Sequence, residues 1–405
     1  MPAQEISRRH LLLSIYVPAF SMALCRGMVL PVMPLFALSF DVSYAMVGLL
    51  LAAEGIGNLI FDLPAGPLVR HLGRKRSMLV GAVIIGAMAL AMSQATLLWE
   101  AAFYRFISGA GMALWNIARH ASITEMVAIG IRGRTNAGLG GLGRVAAFAA
   151  PVAGGFLAET VSLQAPFLVY AVLSVVSLIS AWIWIPADHL SEAPPVDAAH
   201  VRLWQVLRSE GRILLAAGGG SLMAQTIRAA RNVVIPLFAA DHLGLSASDV
   251  GLIISLSYGV DMLMFWPAGV IMDRFGRKYA YVPSFVLQSV AMACIPFADG
   301  FGSLLTAAMA MGLANGLSSG TMLTLGADLA PADARGEFLG IWRFIGDSGH
   351  AAAPLIVGRA ADVLGLAGTP FLVALIGLGG AMVLGLWVPE TLRREPPMTT
   401  KGSDE

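Results

Sequence analysis

The chain has 405 residues, of which 57% are hydrophobic and only 13% charged, with a mean hydropathy of +0.75 and a formal net charge of +1. Soluble domains carry about 25% charged residues, so this balance excludes one. The near-zero net charge offers no basic surface for nucleic acid.

Apolar stretches long enough to cross a bilayer recur along the chain. In order they fall near 11–36, 45–68, 77–95, 98–122, 136–158, 166–186, 212–238, 247–271, 279–298, 302–327, 338–361 and 368–389. In lipid every backbone group must bond internally, so each is expected to be a helix. The expected fold class is an all-α integral membrane protein with twelve transmembrane helices.

The connections alternate in charge. Arg8 and Arg9 precede the first stretch, and Arg70, Arg74, Lys75 and Arg76 follow the second. Arg132 and Arg134 follow the fourth; Arg202, Arg208 and Arg212 follow the sixth. Arg274, Arg277 and Lys278 follow the eighth, Arg335 follows the tenth, and Arg393, Arg394 and Lys401 close the chain. The intervening connections, such as "DVSYAM" and "ADHLGLSASD", have acids and no Lys or Arg. By the positive-inside rule both termini are cytoplasmic, in a multi-pass protein of the plasma (inner) membrane. The first stretch is too long for a cleavable signal peptide and lacks a small-residue cleavage site. Cys25 and Cys294 both fall inside spans, so neither a disulfide nor a metal site is expected.

The longest polar interruption, "PADHLSEAPPVDAAHVRLWQVLRSEGR", divides the chain. The expected organisation is an N-terminal six-helix bundle (1–186), a cytoplasmic linker (187–211), a C-terminal six-helix bundle (212–390) and a disordered tail (391–405). The two bundles repeat. "GPLVRHLGRKR" from Gly66 recurs 203 residues on as "GVIMDRFGRKY" from Gly269. The same offset relates Gly48 to Gly251, Pro64 to Pro267, Glu125 to Asp328, Arg132 to Arg335 and Pro151 to Pro354. "RGMVLP" (Arg26–Pro31) corresponds to "RNVVIP" (Arg231–Pro236) at an offset of 205. Parallel repeats of this kind describe transporters that rock around a site between their halves.

On these residues the chain resembles the major facilitator superfamily. "GVIMDRFGRK" fits that family's glycine–aspartate–arginine loop, and "YRFISGAG" is similar to its fourth-helix motif, with Arg105 at the arginine position. "APVAGG" resembles the fifth-helix motif of the drug:proton antiporter branch, although Ala150 stands where a glycine is usual. The first loop departs from the pattern: Arg70 occupies the aspartate position and His71 the next arginine position. The resemblance implies that an acid of this loop meets a helix end of the opposite half and holds the inward-closed state. The offset supplies a compensating arrangement, Arg70–Glu337 and Asp273–Arg134, in which one pair has exchanged signs. Alternatively Arg70 is one more positive-inside charge. A second set, Arg74–Glu125 and Arg277–Asp328, is expected to hold each loop to its own half.

A charge at the bilayer centre costs about 2.5–3.5 kcal/mol on insertion scales, so each is expected to face the bundle interior or a partner. Depth along the antiparallel fifth and eighth helices predicts an Arg144–Asp261 contact, read first as a neutralised pair and second as a substrate contact. Arg343, Asp347 and His350 share one helical face, so Arg343 can neutralise Asp347. Glu54, Asn58 and Asp62 form a polar stripe at i, i+4, i+8. Glu54 lies about as deep as Arg26. A cation that moves away during rocking would let it take up and release protons, so Glu54 leads as the proton-coupling residue, followed by Asp347 and Asp62; a permanent Glu54–Arg26 bridge is the other reading. Arg26 and Arg231 each precede a proline by five residues and are expected to face one another across the cavity, with Arg228 and Arg105 adding to the field. Such forks suit carboxylate or phosphate; nearby acids could equally neutralise them.

"GLGGLG" (Gly138–Gly143) opens a membrane helix with no strand before it, so it reads as helix packing and not nucleotide binding. No H-E-x-x-H, P-loop or cysteine cluster is present in the sequence. An integral-membrane enzyme or a receptor would require turnover or a signalling partner, for which the sequence has no motif. The first expectation is a secondary transporter that exports small organic molecules by alternating access coupled to protons, from the resemblance to the antiporter branch. The second is an organic-anion or phosphate-ester carrier, from Arg26 and Arg231. Neither involves catalysis, a cofactor or a metal. The partners expected are a small-molecule substrate, protons and the lipid bilayer, and one chain suffices as a monomer.

Overall fold

The computed structural model describes residues 8–186 and 204–392. Most of the expected linker (187–203), the tail from 393, and Arg202, Arg393, Arg394 and Lys401 lie outside the described residues. All regular structure among the described residues is helical. The first half runs through α1 (Arg9–Leu38), α2 (Tyr44–Leu72), α3 (Arg74–Met92), α4 (Leu98–Met126), α5 (Ile129–Thr160) and α6 (Ala165–Trp184). The second runs through α7 (Gly219–Leu237), α8 (Ala247–Arg274), α9 (Arg277–Cys294), α10 (Phe301–Leu329) and α11 (Arg335–Trp387).

Nine helices among the described residues are long and apolar enough to cross a membrane; α4 and α7 are not among them. The reason is in their sequences. Arg105, Asn116 and Arg119 interrupt α4, and Arg228, Arg231 and Asn232 interrupt α7. Charged and amide groups are costly in lipid and lower a hydropathy average, so they are expected to face the interior of the bundle.

The sequence places a loop at 362–367, but α11 continues through it. The helix breaks only at Gly365, whose φ of 76° is left-handed. Two further positive-φ glycines are repeat mates: Gly73 (φ 85°) and Gly276 (φ 119°) turn the chain between α2 and α3 and between α8 and α9. Only a residue without Cβ adopts such angles at little cost, which explains why the duplicated basic loop keeps its glycine.

The two halves meet at the end remote from the arginine loops. There α2 packs on α11 and α5 on α8, through glycines that the 203-residue offset also relates. A Cβ on Gly48 would strike the Pro354 carbonyl and lie 3.2 Å from Gly358 Cα; one on Gly251 would lie 2.5 Å from the Pro151 carbonyl and 3.2 Å from Gly155 Cα. Carboxylates complete the seam. Asp362 on α11 accepts backbone N–H bonds from Tyr44 (2.9 Å) and Ala45 (3.1 Å) at the start of α2, and Glu159 on α5 accepts one from Ser248 (2.9 Å) at the start of α8. The Tyr44 hydroxyl also donates to Asp241.

At the arginine-rich end no such glycine contact between the halves occurs among the described residues. Positions Gly133, Gly140 and Gly141 on α5 and Gly336 and Gly340 on α11 face open space. The molecule is therefore a wedge, shut at one end and open at the other.

Candidate functional site

A cavity of about 570 Å³ runs into the wedge between the halves. Its polar wall comes from the interrupted helices: Arg26 of α1, Glu54 and Asn58 of α2, Arg105 and Asn116 of α4, Asn232 of α7, Tyr258 of α8, and Arg343, Asp347 and His350 of α11.

Glu54 is the centre of this wall. Its Oε2 accepts from the Arg105 guanidinium, and its Oε1 lies 3.9 Å from Arg26 Nε. The sequence anticipated the second neighbour and not the first. α4 approaches α2 closely because Gly57 and Gly109 carry no side chain: a Cβ on either would enter the other helix's backbone. That approach brings Arg105 onto Glu54. The two arginines differ in availability. Arg105 is held in the wall, whereas the Arg26 side chain is 56% exposed to the cavity, against 11% for Glu54.

Asp347 pairs with Arg343 one turn away at 3.3 Å, as its i, i+4 spacing requires. Asp62 accepts from Asn58 Nδ2 at 3.2 Å. Arg119 was not singled out in the sequence; it follows cavity-lining Asn116 on α4, and its Nε is buried without a hydrogen-bond partner.

Arg228 and Arg231 do not line the cavity. Arg231 is 4% exposed, with its guanidinium 4.7 Å above the Tyr258 ring, while the Tyr258 hydroxyl donates to Asn232 at 3.1 Å. Arg228 donates to the Ser318 carbonyl (3.0 Å) and hydroxyl (2.6 Å), where α10 breaks, and lies over Phe285. The structure thus replaces the expected pair of facing forks with one, Arg26. The 205-residue offset placed Arg231 at the right depth but could not report that Tyr258 shields it from the cavity.

Arg144 of α5 and Asp261 of α8 stand together across the halves, 3.8 Å apart. Arg144 also donates to Ser319 and lies 4.3 Å over Phe265; Asp261 accepts from Asn315 Nδ2 at 3.0 Å.

Among the loop residues, Arg74 reaches Glu125 at 2.8 Å and Arg277 reaches Asp328 at 3.0 Å. Arg70, Arg134 and Asp273 are exposed and Glu337 is half-buried. Among the described residues no ion pair joins Asp273 to Arg134, as the open end of the wedge requires. Glu390, which the sequence did not flag, accepts from the first backbone amides of α9, Arg277 and Lys278, both at 2.9 Å. Burial raises its carboxyl, but these bonds and those from Leu392 and Thr391 outweigh it and hold it below the usual glutamate range.

The sequence matches the Major Facilitator Superfamily over residues 15–227 and again over 219–404. The chain belongs to that superfamily. It is 25% identical over 227 residues to the multidrug transporter MdfA of Yersinia pestis, covering 55% of this chain and 56% of that one. It is 23% identical over 231 residues to an uncharacterized MFS-type transporter of Yersinia enterocolitica (57% and 58% covered), and 29% identical over 181 residues to a hexuronate transporter of Bacillus subtilis (44% and 42%). The matched regions span about half the length of these curated relatives. In shape it is similar to a solved POT family transporter (TM-score 0.78, 10% identity, covering 93% and 95%) and to a D-xylose-proton symporter (TM-score 0.72, 17%, covering 95% and 97%). At these identities the likeness shows the fold alone. Membership in this superfamily and the nine apolar helices among the described residues make it a multi-pass membrane protein.

Proposed function

We propose that this superfamily member moves a small organic anion by alternating access, with Glu54 as the proton-coupling carboxylate. One observation carries the reading: the most available group beside Glu54 is the half-exposed Arg26 fork, while Arg105 is held in the wall. When an incoming carboxylate or phosphate takes Arg26, Glu54 loses one of its two cationic neighbours. The similarity to a hexuronate transporter, whose named substrate is a sugar acid, agrees with an anionic solute.

In this reading α11 counts as two spans across Gly365, giving twelve helices in two six-helix bundles (1–186 and 212–390) joined by the 187–211 linker. The arginine-rich open end and both termini are cytoplasmic, the membrane is the plasma membrane, and the monomer is the working unit. Closure of that end would bring Arg134 to Asp273 and Arg70 to Glu337.

A second reading is proton-driven export of varied organic molecules, favoured by the similarity to a multidrug transporter and by "APVAGG". A thermal-stability screen of the purified protein against organic anions and lipophilic cations separates the two, because a ligand that binds only the folded state raises its apparent stability. Stabilisation by anions that Arg26→Ala abolishes supports the first. Stabilisation by cations that survives Arg26→Ala overturns it in favour of export.

A further inference from the structure

A side chamber of about 250 Å³ opens off the cavity, sharing Gly143, Ala147 and Tyr258 with it and ending on Arg144 and Asp261. Its floor is made by glycines: a Cβ on Gly140 or Gly143 would meet nothing within 4 Å. Asp261 is 6% exposed, and only one of its carboxylate oxygens is hydrogen-bonded. Oδ2 accepts from Asn315, whereas Oδ1 is buried with no hydrogen-bond partner. Arg144 does not close that gap, because its bonds to Ser319 and its stacking on Phe265 hold the guanidinium 3.8 Å away.

We infer that this chamber is a second substrate subsite in which Asp261 Oδ1 accepts a hydrogen bond from a hydroxyl group, so that the transported anion is a hydroxylated acid. The inference rests on the anion reading above and adds the other end of the solute. A buried acceptor left unpaired is costly, and a donor restores what it loses. The local charge selects the kind of donor. Arg144 lies against Asp261, and Arg231 sits on the Tyr258 ring that walls the chamber. Two guanidiniums against one carboxylate disfavour a substrate ammonium, so a neutral O–H fits where N–H₃⁺ does not. With its acid on Arg26 and a hydroxyl on Asp261, a polyhydroxy acid would span the two halves. That is how one solute couples them.

The test compares three probes that share six carbons: D-gluconate, hexanoate and D-glucose. Half-saturating concentrations are read from the thermal shift of the detergent-purified full-length protein. The expected order is gluconate tighter than hexanoate by about tenfold or more, with glucose weaker than gluconate. In Asp261→Asn, which removes the charged acceptor, and in Gly140→Val, which fills the chamber without altering a charge, gluconate should weaken toward hexanoate while hexanoate is unchanged. A carboxylate that serves packing alone would lower the baseline melting temperature and leave the gluconate-to-hexanoate ratio intact. Equal binding of gluconate and hexanoate to the unaltered protein overturns the inference and spares the anion reading. Binding of neither acid overturns both. Should Asp261→Asn not fold, an unchanged ratio in Gly140→Val is sufficient to reject the subsite.

Discussion

Glu159 and Asp362 stand 203 residues apart, at equivalent positions of the two halves, and each carboxylate accepts backbone N–H bonds at the start of a helix in the opposite half. A helix N-terminus presents unsatisfied N–H groups and the positive end of the macrodipole. These caps therefore attach α8 to α5 and α2 to α11 wherever the halves are closed, and must be surrendered when that end opens.

Removing both charges, in Glu159→Gln with Asp362→Asn, should shift the balance between closed and open ends toward the open one. Spin labels at Val161 and Leu364, on a background with Cys25 and Cys294 replaced by serine, report the separation of the two halves at this end. The distance should lengthen in the double variant; an unchanged distribution would show that the glycine seam alone holds it shut.

Arg228 and Arg26 should separate by phenotype. Arg228 is buried and donates to Ser318 at the break in α10. Arg228→Ala removes the charge-assisted bonds to Ser318 and the packing over Phe285 and should lower unfolding stability by about 2–4 kcal/mol without altering the half-saturating concentration of an anion. Arg26→Ala, at an exposed position, should do the reverse. Melting curves with and without ligand distinguish them, and an anion affinity that falls in Arg228→Ala would place Arg228 in the pathway.

Much of this was legible in the sequence because the duplication writes each contact twice. Arg74–Glu125 and Arg277–Asp328 follow from a loop and an offset, and depth along antiparallel helices found Arg144 beside Asp261. The same offset also relates Glu159 to Asp362, but an exposed acid at a helix end has no hydropathy signature to draw attention to it. Arg105 on Glu54 was not legible, since it depends on how closely α4 and α2 approach through Gly57 and Gly109. Arg231 illustrates the converse: repeat symmetry fixes depth, whereas the rotation of a side chain behind Tyr258 is set by packing.

Glu390 gives a pH prediction outside the spans. Its folded-state carboxyl lies below the usual range, so the stability it contributes is present above the unfolded value, about 4.3, and is lost as pH falls through the folded value. Melting curves between neutral and acid pH should show the native protein more stable than Glu390→Gln at neutrality. The two should converge in acid. A gap that is constant with pH would mean the amides of Arg277 and Lys278 do not depend on the ionised carboxylate.

The Glu54–Arg105 contact sets the final prediction. Both side chains are largely withdrawn from water, so removing one strands the other: Arg105→Ala should destabilise the protein by about 3–5 kcal/mol. The double change Arg105→Ala with Glu54→Gln should recover part of that loss, because no charge is then left unpaired. Stability cannot by itself reveal proton coupling, and vesicles carrying a trapped pH-sensitive dye can. If Glu54 exchanges its proton as Arg26 turns to a solute, adding a transported anion moves protons in the native protein. In Glu54→Gln the solute should still bind and exchange across the membrane while the dye stays silent. Proton movement that persists in Glu54→Gln would move the coupling to Asp347 or Asp62, the other acids on the same polar faces of α11 and α2.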